Sequence, residues 1–317
     1  MQTFTITDLS FTYPTESVPA LQNVSLSIEA GSFTVLCGRS GCGKSTLLRQ
    51  LKPILQPHGT QTGTILFEGK SLSSLSQREQ SARIGFVLQN LDAQLVTDKV
   101  WHELAFGLES LGLSTPVIRR RVAEIASFFG IQNWFYKPVC ELSGGQKQLV
   151  NLASVMALEP SVLLLDEPTK GLDAEFKRVF ARIIKRLCAR GVCVIMVSHD
   201  AEFCASYASR CAMFFDGAIV AEGTPREFFS SGSFYTTSAS RMARGLLPGA
   251  ITPEDVIAAC GGEVPPEPDL PADGDDAAEI QAQEEAREQA KTYLLPSQTA
   301  PLPLWRKLLG ALGGLGA

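Results

Sequence analysis

Apolar and amphipathic segments alternate along the chain as far as residue 262. Apolar residues that alternate or run continuously predict strands, and apolar residues that recur every three or four positions predict helices. The predicted strands cover residues 3–11, 24–29, 33–37, 64–67, 84–88, 162–165 and 192–197. The predicted helices cover residues 44–51, 97–111, 115–129 and 145–158.

Two of these strands, 162–165 and 192–197, are apolar at every position. Continuous apolar runs are typical of strands that are buried on both faces, as in parallel sheets. Because the strands alternate with helices, the pattern indicates βαβ units. We therefore expect an α/β fold with a largely parallel central sheet.

The composition changes sharply after residue 262. Residues 263–290 contain ten acidic residues against one arginine and almost no large apolar side chains. Such a segment buries too little surface to offset its ordering entropy, so we predict a disordered acidic and proline-rich linker over 263–301.

The final segment, 302–317, regains apolar residues. Its large apolar residues fall on one face of a short helix, beside Arg306 and Lys307; they are Leu304, Trp305, Leu308, Leu309 and Leu312. This amphipathic tail could bind anionic lipid or a partner protein. The four glycines from Gly310 onward favour the alternative of a frayed end.

Composition limits the class of protein. The 317 residues are 45% hydrophobic and 19% charged, which is sufficient for a packed core. The net charge of −5 argues against a generic nucleic-acid binder. The chain contains no apolar run long enough to span a membrane and no recognisable signal peptide. The eight cysteines form no C-x-x-C pair, so we expect reduced, mostly buried thiols rather than a zinc site or disulfides.

Residues 38–46, GRSGCGKST, match the phosphate-binding pattern G-x-x-x-x-G-K-[ST]. A chance glycine-rich loop is the alternative, but a predicted strand precedes the motif and a predicted helix follows it. Glycines let backbone N–H groups turn towards phosphate oxygens, and the helix N-terminus favours anions. The candidate nucleotide ligands are Gly38, Arg39, Ser40, Gly41, Cys42, Gly43, Lys44, Ser45 and Thr46.

A second motif, VLLLDE at residues 162–167, consists of the predicted strand 162–165 followed by two acidic residues. An apolar strand ending in two acids is the usual partner of a phosphate loop, although alone it is a weak signal. We predict that Asp166 and the Ser45 hydroxyl hold Mg²⁺ and that Glu167 acts as general base towards water. Mg²⁺ is therefore a predicted cofactor, and the family resemblance described below implies that the nucleotide is ATP.

Between these motifs lies LSGGQ, residues 142–146. Its simplest interpretation is a helix start with Ser143 as N-cap. That interpretation is compatible with anion binding, because a glycine-containing helix N-terminus also binds anions.

Together, these motifs resemble the ATPases of the ATP-binding-cassette (ABC) family over residues 1–235, and LSGGQ is that family's signature. The resemblance implies a mixed-sheet core, an antiparallel β subdomain and a helical signature subdomain. It also implies an ATP-sandwich dimer in which the signature of one subunit closes on the nucleotide held by the other. The signature residues are Ser143, Gly144, Gly145 and Gln146.

The resemblance assigns further roles. Gln89 matches the glutamine that senses Mg²⁺ and the membrane partner, and Asp173 matches an aspartate of the loop at the dimer interface. His199 matches the switch histidine at the γ-phosphate, and Tyr13 lies where the family stacks an aromatic ring on adenine. The alternatives are a structural histidine at a strand end and a tyrosine that caps a hairpin.

Residues 88–113 are similar to the ATPases of energy-coupling-factor (ECF) transporters. Residues 234–260 resemble a C-terminal segment found in some members, so we expect an accessory segment over 236–262. This resemblance implies uptake of a vitamin or transition-metal ion, by a peripheral subunit on the cytoplasmic face of the membrane. Its partners would be a second ATPase subunit, a transmembrane coupling subunit and a substrate-binding membrane subunit, with no nucleic acid. The matching residues are Gln89, Asn90, Asp92, Gln94, Val100, Glu103, Leu104, Ala105, Phe106 and Gly107.

The chain departs from the usual ECF pattern at Leu91, Ala93 and Leu149. None of these positions supplies a predicted catalytic group, but the first two touch the expected docking surface. The alternative functions are a soluble ABC ATPase not coupled to transport and a non-catalytic nucleotide-binding scaffold. Soluble ABC ATPases usually carry two cassettes in one chain or a long coiled coil within the cassette, and this sequence shows neither feature. The intact nucleotide-binding motifs argue against a non-catalytic scaffold.

Overall fold

The computed structural model describes residues 2–231, 235–247 and 249–264. The strands are β1 (Gln2–Thr12), β2 (Leu21–Glu29), β3 (Phe33–Gly38), β4 (Thr60–Phe67), β5 (Lys70–Ser71), β6 (Ile84–Val87), β7 (Val162–Asp166), β8 (Cys193–Val197), β9 (Arg210–Phe215) and β10 (Ala218–Gly223). The helices are α1 (Lys44–Gln50), α2 (Gln77–Arg83), α3 (Val100–Ser110), α4 (Thr115–Phe128), α5 (Gly144–Met156), α6 (Ala174–Ala189), α7 (Ala201–Tyr207), α8 (Pro225–Ser231), α9 (Ser238–Met242) and α10 (Pro253–Ala259).

A six-stranded sheet with the order β10-β9-β3-β8-β7-β6 forms the centre of the fold. Its strands are parallel except for β10, which pairs antiparallel with β9. Every residue of β3, β7 and β8 is buried. The continuous apolar runs in the sequence therefore correspond to doubly covered parallel strands, as predicted.

A second, antiparallel sheet has the order β2-β1-β4-β5. Strand β2 alternates between buried apolar and exposed polar residues, as expected for a sheet with one face on the core. Phe4 and Phe67 lie opposite each other on β1 and β4, and both are buried. The apolar side chains of this sheet share one core with β3, β7 and β8.

Helices α3, α4 and α5 pack together. The sequence predicted that α3 would begin at residue 97, but the helix begins at Val100. The carboxylate of Glu103 accepts hydrogen bonds from the backbone N–H groups of Val96 and Thr97, at 3.1 and 2.9 Å. Lys99 forms an isolated antiparallel bridge with Pro138. These contacts hold the chain extended up to Lys99.

The segment after β10 packs beside β9 and β10, at one edge of the central sheet. Phe229 is fully buried and its ring stacks on that of Tyr235. Arg226 on α8 contacts Asp255 on α10 at 3.0 Å. All described residues fall within one compact unit, Met1–Leu270. The division into an ATPase domain, 1–235, and an accessory segment, 236–262, stays a prediction.

The predicted strands and helices are present, and several extend further than the sequence indicated; β4 begins at Thr60 rather than residue 64. Strands β5, β9 and β10 and helices α2 and α6 to α10 were not predicted. The mixed α/β class is confirmed. Apart from residues 263 and 264, the predicted linker (263–301) and tail (302–317) lie outside the described residues. Within the described ranges, no helix is both long and apolar enough to cross a bilayer.

Candidate functional site: a nucleotide-binding cleft

Four parallel strands of the central sheet end at the same edge, where the predicted site residues follow them. Strand β3 leads into the phosphate loop and β6 into Gln89, while β7 precedes Glu167 and β8 precedes His199. Asp166 is paired in register with Val197, so the ends of β7 and β8 are level. The carboxyl edge of a parallel sheet is where ligands bind in open α/β folds.

These segments enclose a cleft of about 570 Å³. The lining combines lysine and histidine side chains with one glutamate, one aspartate and several hydroxyl groups, which suits an anionic ligand and a cation. The lining residues are Ser40, Gly41, Gly43, Lys44, Ser45, Thr46, Gln89, Glu167, Thr169, Lys170, Gly171, Lys177, Ser198, His199 and Asp200.

The phosphate loop requires glycine at two positions. Gly43 has φ +103°, and a Cβ there would lie 2.3 Å from the carbonyl oxygen of Ala20. Gly38 has φ +139°, and a Cβ there would lie 2.4 Å from the carbonyl oxygen of Phe214. No other residue fits this combination of left-handed backbone and close backbone approach.

Lys44 is the first residue of α1, and only 4% of it is exposed. Its Nζ donates to the carbonyl oxygens of Gly38 at 2.9 Å and Arg39 at 2.5 Å, and lies 3.5 Å from Cys42 Sγ. The loop therefore folds around the ammonium group, which can redirect its donors to phosphate oxygens within the same cleft.

Ser45 and Asp166 meet as predicted. The Ser45 hydroxyl donates to Asp166 Oδ1 at 2.8 Å. Burial raises the pKa of the Asp166 carboxyl group, and the hydrogen bond from Ser45 opposes this shift. A buried carboxylate beside a hydroxyl oxygen is a donor set that hard divalent cations prefer, so these two residues fit Mg²⁺.

Glu167 lies at the centre of the cleft. Its Oε1 is 2.9 Å from His199 Nε2, and its Oε2 accepts a hydrogen bond of 3.2 Å from Gln89 Nε2. Lys170 Nζ lies 3.8 Å from Oε2. The Glu167 backbone has φ +49°, in the left-handed region. Backbone strain of this kind is concentrated at functional sites, and the role of Glu167 as general base stays a prediction.

Tyr13 follows β1 and lies beside the phosphate loop. Its hydroxyl and the Thr46 hydroxyl are 3.1 Å apart. Its ring packs edge-on against Phe11, with 4.9 Å between the ring centroids. The residue is only partly buried. This position is compatible with the predicted stacking on adenine, which stays a prediction.

The signature residues form the start of α5 and do not line the cleft of their own subunit. Ser143 and Gln146 form a reciprocal capping box, so the simple helix-start interpretation is correct. Asp173 caps α6 by accepting a hydrogen bond from the backbone N–H of Phe176 at 2.8 Å. It likewise does not line the cleft. A role for these residues at a nucleotide therefore requires a second subunit.

Gln94 and Asp92, for which no structural role was predicted, hold the loop after Gln89 in place. Gln94 Oε1 accepts the backbone N–H of Leu88 at 2.7 Å, and Gln94 Nε2 donates to the carbonyl oxygen of Phe86 at 2.9 Å. Asp92 contacts Lys147 on α5 at 2.9 Å. The Gln89 loop is thus connected to the helix that carries the signature.

Six cleft residues were not predicted: Thr169, Lys170, Gly171, Lys177, Ser198 and Asp200. A usable signal existed for two of them. Lys177 lies one helical turn after Asp173, and Asp200 directly follows His199.

The chain is similar to known ATP-binding proteins. A family profile described as ABC transporter matches residues 21–170. A putative ABC transporter ATP-binding protein from Bacillus cereus is 41% identical over 71% of this chain and 41% of its own length. The chain thus spans about two fifths of that relative. The energy-coupling factor transporter ATP-binding protein EcfA of Syntrophomonas wolfei is 38% identical, with 77% of this chain and 86% of the relative covered.

Solved structures give the same result. CbiO1 from Clostridium perfringens, described as part of the ABC transporter complex cbiONQ, has a TM-score of 0.67 and 31% identity, covering 73% of this chain and 91% of that one. An ATP-binding cassette described as nucleotide-free, at 22% identity and a TM-score of 0.63, supports the fold. The chain therefore belongs to the family of ABC transporter ATP-binding proteins, with ECF transporter ATP-binding proteins among its relatives.

Proposed function

We propose that this chain is the ATP-hydrolysing subunit of a membrane importer of the ECF type. One observation carries the proposal: Gln89 and His199 both contact Glu167 in the cleft that also contains the phosphate loop. Similarity to EcfA of Syntrophomonas wolfei supports the ECF assignment.

In this proposal the cleft binds ATP with Mg²⁺. Lys44 and the backbone N–H groups of the loop bind the phosphates, and Ser45 and Asp166 hold the metal, with Gln89 close by. Glu167 accepts a proton from the attacking water, and His199 orients its carboxylate. Because the rigid central sheet fixes these charged and polar groups before ATP binds, little reorganisation is needed during the reaction, which lowers the barrier to hydrolysis.

The active form is a dimer. The signature of one subunit would complete the cleft of the other, because Ser143–Gln146 lie outside their own cleft. The proposal covers both a homodimer and a heterodimer.

Coupling to the membrane would involve the loop after Gln89 and α3. Val96, Phe106 and Tyr136 are 61%, 50% and 50% exposed, and in this proposal they belong to the docking surface. A groove of about 340 Å³ lies in the same region, between Asp92 and Cys140. The partner would be the transmembrane coupling subunit, which in turn binds the membrane subunit for a vitamin or transition-metal ion. The chain would be peripheral, on the cytoplasmic face.

The catalytic part is tested with Glu167→Gln. This variant should lose ATP turnover by at least a hundredfold but still bind ATP, because the phosphate and Mg²⁺ ligands remain. With ATP and Mg²⁺ it should elute as a dimer in size-exclusion chromatography. Glu109→Gln, an exposed glutamate on α3, is the control. A Glu167→Gln variant with wild-type turnover would disprove the assignment.

The transport part is tested by purification of the tagged chain from membranes in mild detergent. Co-purification of a multi-spanning coupling protein is expected, with a second, different ATPase subunit if the dimer is a heterodimer. An ATPase that is active and carries no membrane protein would contradict the importer but leave the catalytic assignment intact.

A further inference from the structure

An ion pair joins α6 to the segment that carries His199. Lys177 Nζ lies 2.6 Å from Asp200 Oδ2. The two side chains are 32% and 24% exposed, so the pair is partly shielded from water. A short, charge-assisted contact of this kind is stronger than a typical surface ion pair.

Lys177 and Asp200 each lie at the start of a helix, next to a predicted site residue. Lys177 lies one helical turn after Asp173, the N-cap of α6. Its backbone N–H donates to the Asp173 carbonyl oxygen at 3.0 Å. Asp200 directly follows His199 and is the N-cap of α7. The ion pair therefore connects the loop that ends at Asp173, called here the Asp173 loop, to the switch histidine, His199.

Asp200 is held at three points. Its Oδ1 accepts the backbone N–H of Phe203 at 3.0 Å, and its own backbone N–H donates to Ser198 Oγ at 3.1 Å. Oδ2 is the oxygen that contacts Lys177. Because Ser198, His199 and Asp200 are consecutive, a displacement of Asp200 must move the His199 backbone as well.

His199 Nε2 is 2.9 Å from Glu167 Oε1, and Lys177, His199 and Asp200 all line the cleft. The positions of α6 and of the Glu167–His199 contact are thus linked through one side-chain pair.

We propose that Lys177 is a positioning residue: through Asp200 it fixes the ring of His199 against Glu167, so that movement of the Asp173 loop reaches the histidine. This inference rests on the proposed ATPase function. Lys177 does not take part in the chemistry. Its loss should therefore slow turnover while leaving ATP binding nearly unchanged.

The kinetic test uses Lys177→Met, which removes the charge and keeps most of the apolar stem. Its kcat should fall roughly tenfold while KM for ATP changes less than twofold. Lys177→Arg should recover to within about twofold of the wild type, because the guanidinium also pairs with a carboxylate. Arg178→Met, at the next and exposed position of α6, is the matched control and should behave as wild type.

Asp200→Asn tests the other partner without removing the helix cap, since asparagine is also a good N-cap. It should reproduce the kinetic effect of Lys177→Met. The double variant should be no slower than the slower single variant, because both changes break the same contact.

A spectroscopic measurement separates positioning from general stability. The chain has three histidines, so selective ¹⁵N-histidine labelling gives three ring systems, assigned with His58→Gln and His102→Gln. The His199 ring signals should shift or broaden in Lys177→Met and Asp200→Asn but not in Arg178→Met. Unchanged His199 signals in Lys177→Met, or a kcat within twofold of wild type, would overturn the proposal.

Failure of the proposed function would give a different experimental result from failure of this inference. If the wild type and Glu167→Gln show equal ATP turnover, the ATPase assignment fails. The NMR comparison still reports on the Lys177–Asp200–His199 connection, because it does not depend on turnover.

Discussion

The ring of Phe176 lies against the α-carbon of Gly145. A Cβ on Gly145 would come within 2.7 Å of that ring, closer than real side chains approach. Gly145 belongs to the first turn of α5, and Phe176 belongs to the first turn of α6, whose N-cap is Asp173. Within one subunit, the two segments proposed to face the partner's nucleotide therefore pack directly on each other.

Gly145→Ala should displace the Phe176 ring and with it the start of α6. We expect kcat for ATP to fall at least tenfold, and Phe176→Ala alone to lower it only about two- to threefold. In the double variant Gly145→Ala/Phe176→Ala the steric conflict is absent, so a large part of the lost activity should return. Steady-state ATPase assays of the four proteins form a double-mutant cycle that measures this coupling.

A Cβ at Gly144 meets no atom within 4 Å in its own subunit, so Gly144→Ala perturbs only the proposed contact with the partner's nucleotide and separates that effect from the conflict with Phe176. If the double variant is as inactive as Gly145→Ala, contact with Phe176 is not the reason for glycine at this position.

Asp166→Asn should stabilise the ligand-free protein while it removes activity. Burial raises the pKa of Asp166, so the native state disfavours the carboxylate and loses stability as pH rises through that raised pKa. Asparagine is neutral and retains an acceptor for the Ser45 hydroxyl. By calorimetry at pH 7.5 without Mg²⁺, we expect the Tm to rise by roughly 2–4 °C. The gain should shrink at acidic pH, where the wild-type carboxyl group becomes neutral.

The same variant should lose Mg²⁺-dependent ATP hydrolysis by at least a hundredfold. A Tm equal to or below that of the wild type would show that the buried charge carries no cost in the free protein.

Lys52 gives a second pH-dependent expectation. Burial lowers the pKa of its amino group to about 8, and its Nζ donates to the carbonyl oxygen of Ile84 at 2.7 Å. Between about pH 8 and the ordinary lysine value of about 10.4, the unfolded chain binds the proton more tightly than the native state. The contribution of Lys52 to the unfolding free energy therefore rises with pH in this window.

Lys52→Met removes the group and should flatten the rise. Urea unfolding at several pH values from 7 to 10 should show a slope smaller than the wild-type slope by up to about 1.4 kcal/mol per pH unit. Lys70→Met, at an exposed position, is the control and should keep the wild-type slope. Parallel curves for wild type and Lys52→Met would refute the assignment.

Local sequence patterns were sufficient for four strands of the central sheet, β3, β6, β7 and β8, and for the phosphate loop, but β9 and β10 were not predicted. A short, wholly apolar run such as 162–165 favours a strand covered on both faces. The spacing in 38–46 fixes a loop whose glycines are needed at Gly38 and Gly43, where the backbone has positive φ and no room for a Cβ. Both predictions depend on residues that are adjacent in sequence.

Contacts between residues that are distant in the sequence could not be predicted from local patterns. Nothing in the sequence pattern showed that Lys177 would reach Asp200 or that Phe176 would pack on Gly145, since these contacts depend on how the helices dock. The start of α3 was misplaced for a different, local reason: the Glu103 carboxylate accepts hydrogen bonds from the backbone N–H groups of Val96 and Thr97, which holds the preceding segment extended.

Cys42 should be the thiol whose modification stops the enzyme. It lies inside the phosphate loop, and its Sγ is 3.5 Å from Lys44 Nζ. Only 9% of the residue is exposed, so reaction should be slow. Cys140 and Cys260 are exposed and should react first.

The experiment therefore starts from the variant Cys140→Ser/Cys260→Ser. Burial raises the pKa of Cys188 and Cys193 to about 12, so almost none of either thiol is thiolate at pH 7 and neither competes for a maleimide. In this background N-ethylmaleimide should inhibit ATP hydrolysis slowly, and bound ATP should protect, because the adduct would occupy the space of a phosphate. Adding Cys42→Ala should leave turnover within about threefold and abolish the inhibition. Equal inhibition with and without Cys42 would place the sensitive thiol elsewhere.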